Sequence, residues 1–89
     1  MNTEYLLAVF HSRQQAAAFW SNLRRFGCEA AMISSPASLA QGCGVSVRFA
    51  ARDLPIAKTH GGWQSMTAFD GFYCYDGEKR RFMRLRAKE

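Results

Sequence analysis

A single apolar stripe dictates most of what this chain can become. Ala16, Phe19, Trp20, Leu23 and Phe26 recur at steps of three and four residues, which sets them on one side of a helix that must be covered by another apolar layer. Ser12 stands ahead of the stripe as a helix cap, and Gln15 three residues later completes a capping box. Arg24 and Arg25 suit the negative end of that helix, and Gly27 is placed to close it in a left-handed turn. Directly before it, Glu4–Phe10 (EYLLAVF) is almost continuously apolar, as expected of a central strand. A buried strand feeding a one-sided helix calls for further strands beside the first.

The rest of the chain supplies them. Glu29–Ser34 reads as a second strand, broken by Ser35-Pro36-Ala37-Ser38, with one helical turn expected over Ser38–Gln41. Gly42-Cys43-Gly44 is a tight passage into Val45–Phe49, where apolar residues alternate strictly as in a half-buried strand. Arg52–His60 reads as a short helix with Asp53 as its cap and Pro55 in its first turn, stopped by Gly61-Gly62. Ala68–Tyr75 closes the domain as a fourth strand. The order βαββαβ makes the simplest arrangement an α+β, ferredoxin-like split βαβ sandwich, a four-stranded antiparallel sheet of order 4-1-3-2 with both helices on one face.

Size and charge narrow the function. Eighty-nine residues make one domain and leave no room for separate substrate and cofactor domains. An apolar content of 48% excludes a disordered chain. The longest apolar run, Tyr5–Phe10, is far shorter than the ~20 residues that cross a bilayer. With no basic–apolar–small leader pattern at its start, the expected location is cytoplasmic. Residues 77–89 hold six basic and two acidic residues, whereas 1–76 hold six and five. The expected organisation is therefore one domain over 1–76 and a basic tail over 77–89. Lys79, Arg80, Arg81, Arg84 and Arg86 of that tail suit nucleic-acid phosphates, an acidic membrane surface or an acidic partner, which makes a non-catalytic binding module the alternative function, while a loose or edge-packed tail is the commoner case. No RNA-binding aromatic consensus interrupts the strands.

The chemistry-bearing residues are few. Cys28, Cys43 and Cys74 form no CxxC and no Cys/His pair at zinc spacing, so neither a metal nor another cofactor is expected. In the expected topology the end of the first strand lies beside the start of the third, which brings Cys43 and Gly44 to His11, Ser12 and the first-turn amides of the first helix. Such amides and the helix dipole favour a thiolate, and His11 supplies a proton acceptor or a positive charge. The residues alone leave Cys43 open between a reactive thiol and a small packing residue. Cys28 and Cys74 read as packing residues. His60 is expected at the same end of the sheet as Cys43, where a surface loop outweighs a Cys–His dyad. Asp70 and Asp76 lie about 20 Å apart on a regular strand, too far to act as a pair. The aromatics Phe69, Phe72, Tyr73 and Tyr75 read as core or as an interface between two copies.

Taken together, Phe10-His11-Ser12, the Ala-rich helix, Gly27, Met32-Ile33, Pro36, Leu39, Cys43-Gly44 and Val47-Arg48-Phe49 resemble the selenium/sulfur (Se/S) carrier protein-like family of short bacterial domains. The resemblance spans residues 4–76, with Ala37 where members often carry arginine. It implies that the Cys-Gly cysteine, Cys43, is a carrier thiol holding sulfur or selenium for transfer, and the expected topology surrounds it with His11, Ser12 and Gly44. The partners it implies are donor and acceptor proteins, and the protein would be a carrier rather than a stand-alone enzyme.

Overall fold

The computed structural model describes residues 4–36, 39 and 44–85. The helical turn expected over Ser38–Gln41, Leu39 apart, and Cys43, the expected carrier thiol, lie outside them. Strand β1 (Tyr5–Phe10) is followed by helix α1 (Arg13–Arg25), strands β2 (Ala30–Ser34) and β3 (Val45–Ala50), a 3-10 turn (Ala51–Asp53) and helix α2 (Leu54–His60). A second 3-10 turn (Trp63–Ser65) leads to β4 (Phe69–Asp76) and β5 (Arg81–Arg84). All pairings are antiparallel, in the order β2-β3-β1-β4-β5. Among the described residues the sheet thus has five strands, one more than expected.

The extra strand comes out of the basic tail. Asp76 Oδ1 accepts the amides of Glu78 and Lys79 (3.0 and 3.2 Å), folding Gly77–Arg80 into a hairpin turn in which Arg80 adopts φ +53°. Arg81–Arg84 then pairs with Tyr73–Asp76. Alternating basic and apolar residues look like a solvated run, yet Phe82 stacks edge-on against Tyr75 at 5.1 Å. Leu85 donates its amide to the Phe72 carbonyl (2.8 Å) and packs on the core.

One face of the sheet meets both helices. Leu6, Ala8 and Phe10 of β1, Val47 and Phe49 of β3 and Phe72 of β4 pack against Ala16, Phe19 and Leu23 of α1 and Ala57 of α2. Phe26 departs from the expected stripe: it is 49% exposed and stacks on His60 with ring centroids 4.2 Å apart. Ser12 Oγ accepts the Gln15 amide (3.2 Å), so the cap forms as expected. The reciprocal half of the box does not, because Gln15 turns its side chain to Ala68 N (2.7 Å) and Thr67 Oγ1 (3.1 Å), tying α1 to the approach of β4.

α2 is short. Gly62, at φ +81°, ends the helical segment after seven residues, about 10 Å of rise. Asp53 occupies its N-cap position without a side-chain cap bond. The Gly61 carbonyl accepts from Asn22 Nδ2 at 2.7 Å, and a side chain at Gly61 would strike the Phe19 ring. α2 therefore docks against the C-terminal half of α1.

Candidate functional site

Three strand ends and a helix start converge at one end of the sheet. Phe10 is paired with Val45, and Val45 in turn with Ser34. The Ser35 amide donates to the Gly44 carbonyl (3.0 Å), carrying the β2–β3 ladder one residue past the strands. The His11 amide donates to the Ala68 carbonyl (2.8 Å), which fixes where the chain leaves β1 for α1. Ser12 takes up the Gln15 amide and its carbonyl accepts that of Ala16 (3.0 Å), so the amides of Arg13 and Gln14 stand outside the helix ladder at its positive end.

These elements enclose a cleft of about 550 Å³. His11 and Arg13 form one wall, Met32, Ile33, Ser34 and Ser35 another, and Gly44 and Val45 lie between them. Its described lining contains an imidazole, a guanidinium and two hydroxyls but no carboxylate. Ser46, fully buried at the base of β3, is held hydroxyl to hydroxyl with Ser35 at 2.7 Å. That bond satisfies a buried polar group and sets the Ser35 side chain at the cleft rim. A cation-bearing, hydroxyl-lined hollow at a helix start favours an anion over a neutral guest.

Of the residues singled out in the sequence, His11 and Gly44 line this cleft, and Ser12 stands between His11 and Arg13 as the helix cap. Cys43 is joined to Gly44 but lies outside the described residues. His60 is held elsewhere: its stack on Phe26 sets it by the C-terminus of α1, a helix about 20 Å long whose other end forms the cleft. The brevity of α2 is the reason. Arg13, Ser34 and Ser35 went unnoticed in the sequence, although Arg13 is the first helical residue and Ser34-Ser35 ends the strand that meets Gly44.

The two cysteines among the described residues both pack with the core. Cys28 is buried in the core, and desolvation, followed by the nearby Asp53 carboxylate, pushes its pKa up. Cys74 is half-buried against the same core. Asp70 and Asp76 serve local structure, Asp70 Oδ2 accepting the Tyr73 hydroxyl at 3.1 Å and Asp76 capping the hairpin turn. Of the tail cations, Arg84 lies along Gly71 and donates to the Asp70 carbonyl, Lys79 and Arg80 sit in the turn, and Arg81 opens β5. Arg86 lies outside the described residues. No group of three His, Cys, Asp or Glu side chains among the described residues is placed to hold a metal ion. No described helix is long and apolar enough to cross a membrane.

The family model described as "Putative Se/S carrier protein-like" matches residues 5–61. The chain belongs to this family. The matched segment runs from β1 to the end of α2, so it takes in every described lining residue of the cleft, and Cys43 falls within it in sequence. No curated protein and no solved structure matches this member of the Se/S carrier-like family. Its β4 and β5 lie beyond the family match.

Proposed function

We propose that this protein carries sulfur or selenium on Cys43 and hands it to a partner protein. The observation that carries the reading is the anion-favouring cleft whose lining includes Gly44, the residue bonded to Cys43. Membership of the Se/S carrier-like family supports it. The first four strands and two helices serve here as a ferredoxin-like core, with β5 added at one edge. A cytoplasmic setting keeps thiols reduced and suits a carrier cysteine.

The chemistry needs a thiolate and a place for negative charge. The Cys43 thiolate attacks the outer sulfur of a donor persulfide, the donor's S–S bond breaks, and the donor leaves as its own thiolate. The product is a persulfide on Cys43, with no net oxidation or reduction. Release to an acceptor thiolate repeats the step in reverse. The α1 start and Arg13 stabilise the anions on both sides of each transfer, and His11 holds or supplies the proton. Ser12 keeps the amide end in place by capping it.

Thiol labelling of the intact protein at about pH 6, read peptide by peptide, tests the reading. Cys43 should label well ahead of half-buried Cys74, with Cys28 slowest. Protein purified without reductant should carry a peptide heavier by about 32 or 80 Da, one sulfur or selenium atom, that disappears in Cys43→Ser. Labelling of Cys43 no faster than that of Cys74, with no adduct on any peptide, would overturn the proposal.

A further inference from the structure

Among the described residues β2 is an edge strand, and its outward side is well defined. The Ser35-to-Gly44 bond sets the alternation: Ser35, Ile33 and Ala31 turn their backbone groups towards β3, while Ala30, Met32 and Ser34 turn theirs outward. The outward row is closed at both ends. Trp20 Nε1 donates to the Ala30 carbonyl at 2.8 Å. At the other end Pro36 has no amide hydrogen, and its carbonyl accepts from Leu39 at 2.9 Å. Between these stops lie two residues, Met32 and Ser34, each with one outward donor and one outward acceptor.

That pattern is its own complement. Turned about a two-fold axis at Ile33, an identical strand places Met32 opposite Ser34 of the second copy and Ser34 opposite Met32 of the second copy. All four donors and all four acceptors are then used in four inter-chain hydrogen bonds. The side chains permit the approach. β2 carries no charge from Ala30 to Ser34, and it lacks the lysine, inward charge or bulge that keeps edges apart. A chain of net charge +5 can therefore meet its copy here without apposing like charges. The flanks complement each other: Glu29 of one copy falls towards the end of β2 where Arg13 of the other lines its cleft.

We propose that two copies of this protein pair antiparallel through β2, centred on Ile33, forming one continuous ten-stranded sheet. The pairing does not depend on the carrier reading, but it bears on the same cleft. Met32 to Ser35 form one wall of that cleft, and the second copy would extend it with Ala31 opposite Ser35. The two Ser35 positions at the cleft rims would lie about 13 Å apart along the strands. An interface of one strand edge is small, so half-association is expected in the range of about 0.1–1 mM.

Sedimentation of the native full-length chain across that range should show the mass rising from 10.0 kDa towards twice that value. Hydrogen exchange at the Met32 and Ser34 amides should slow with concentration while that of the β5 edge does not. Ile33→Lys apposes two ammonium groups at the axis and should weaken association about tenfold or more. Glu29→Arg should weaken it about threefold, less so at high salt. In the otherwise native chain, Ile33→Cys should give a 33–33 disulfide under mild oxidation, since a non-hydrogen-bonded pair sits about 4.5 Å apart at Cα. Ala31→Cys should give none, its mate being about 13 Å away. A constant 10.0 kDa mass up to 1 mM with unchanged exchange, an undisturbed dimer in Ile33→Lys, or equal crosslinking at positions 31 and 33 would each overturn the proposal.

Discussion

The two sides of β1 are built on different principles. On the β4 side, aromatic rings interlock: Phe69 lies 5.2 Å from Phe10, 5.2 Å from Trp63 and 5.0 Å from Phe72, and Phe72 is a further 5.7 Å from Trp63. Tilted and edge-on pairs at these distances add directional contact to area burial. On the β2 side, the outer strand is Ala-Ala-Met-Ile-Ser, with no aromatic and no fully buried residue. The family match follows the same division, covering the β2 side and stopping before β4. Aromatic contacts are concentrated away from the cleft, and the small-residue side leaves room for it.

The largest expected effect tests that division. Phe19 is fully buried and its ring meets Phe10, Phe49 and Phe72 at 5.4, 6.2 and 6.1 Å. Phe19→Ala should cost about 3–5 kcal/mol, read from urea unfolding. Met32→Ala, half-buried on the outer strand, should cost about 1–2 kcal/mol, since part of its surface is wet already. Equal losses at the two positions would abolish the distinction between a rigid and a permissive side.

A smaller effect sharpens it at the cleft. Ser46→Ala removes the partner of Ser35 and leaves a small apolar group in a fully buried position. Ser35 is only half-buried and can turn to water. A loss of about 1 kcal/mol is expected, with the double change Ser35→Ala/Ser46→Ala costing little more. A double mutant at the sum of two full penalties would mean that the hydroxyls act independently.

The permissive side was the less legible in the sequence, for reasons that can be named. Local signals placed α1 to within a residue, because Ser12, the Ala16–Phe19–Leu23 spacing and Gly27 all act within a few positions of one another. The antiparallel neighbourhood of β1 and β3, and with it the meeting of Gly44 and His11, followed from connectivity alone. Arg13, Ser34 and Ser35 stayed hidden because they reach the cleft only through the pairing of β2 with β3. β5 was missed because its charges mask an alternation that matters only against Tyr75 and Phe72. The bulge in β4 is equally silent: the register jumps from Val9–Gly71 to Phe10–Phe69. It leaves Asp70 unpaired with β1, and Tyr73 and Arg84 both bond to it. Such contacts join residues with no local sequence pattern between them.

The smallest effect asks whether the permissive side is open throughout. Cys28 follows α1 and precedes β2, yet it is buried, and burial and then Asp53 raise its pKa. Folding therefore favours the thiol over the thiolate. Below about pH 8.5 the unfolded chain is also protonated at this position, and Cys28 gives stability no pH dependence. As pH rises above that value, the unfolded chain loses a proton that the folded chain keeps. Stability must then decline until the folded pKa is passed. Tyr73, raised by burial and by its bond to Asp70, has the same sign but begins only near pH 10. Urea midpoints between about pH 8.5 and 10 should therefore fall in the native chain and fall less in Cys28→Ala. An identical decline in both would mean that water reaches Cys28, and that the open side extends along the whole of β2 rather than ending at the cleft.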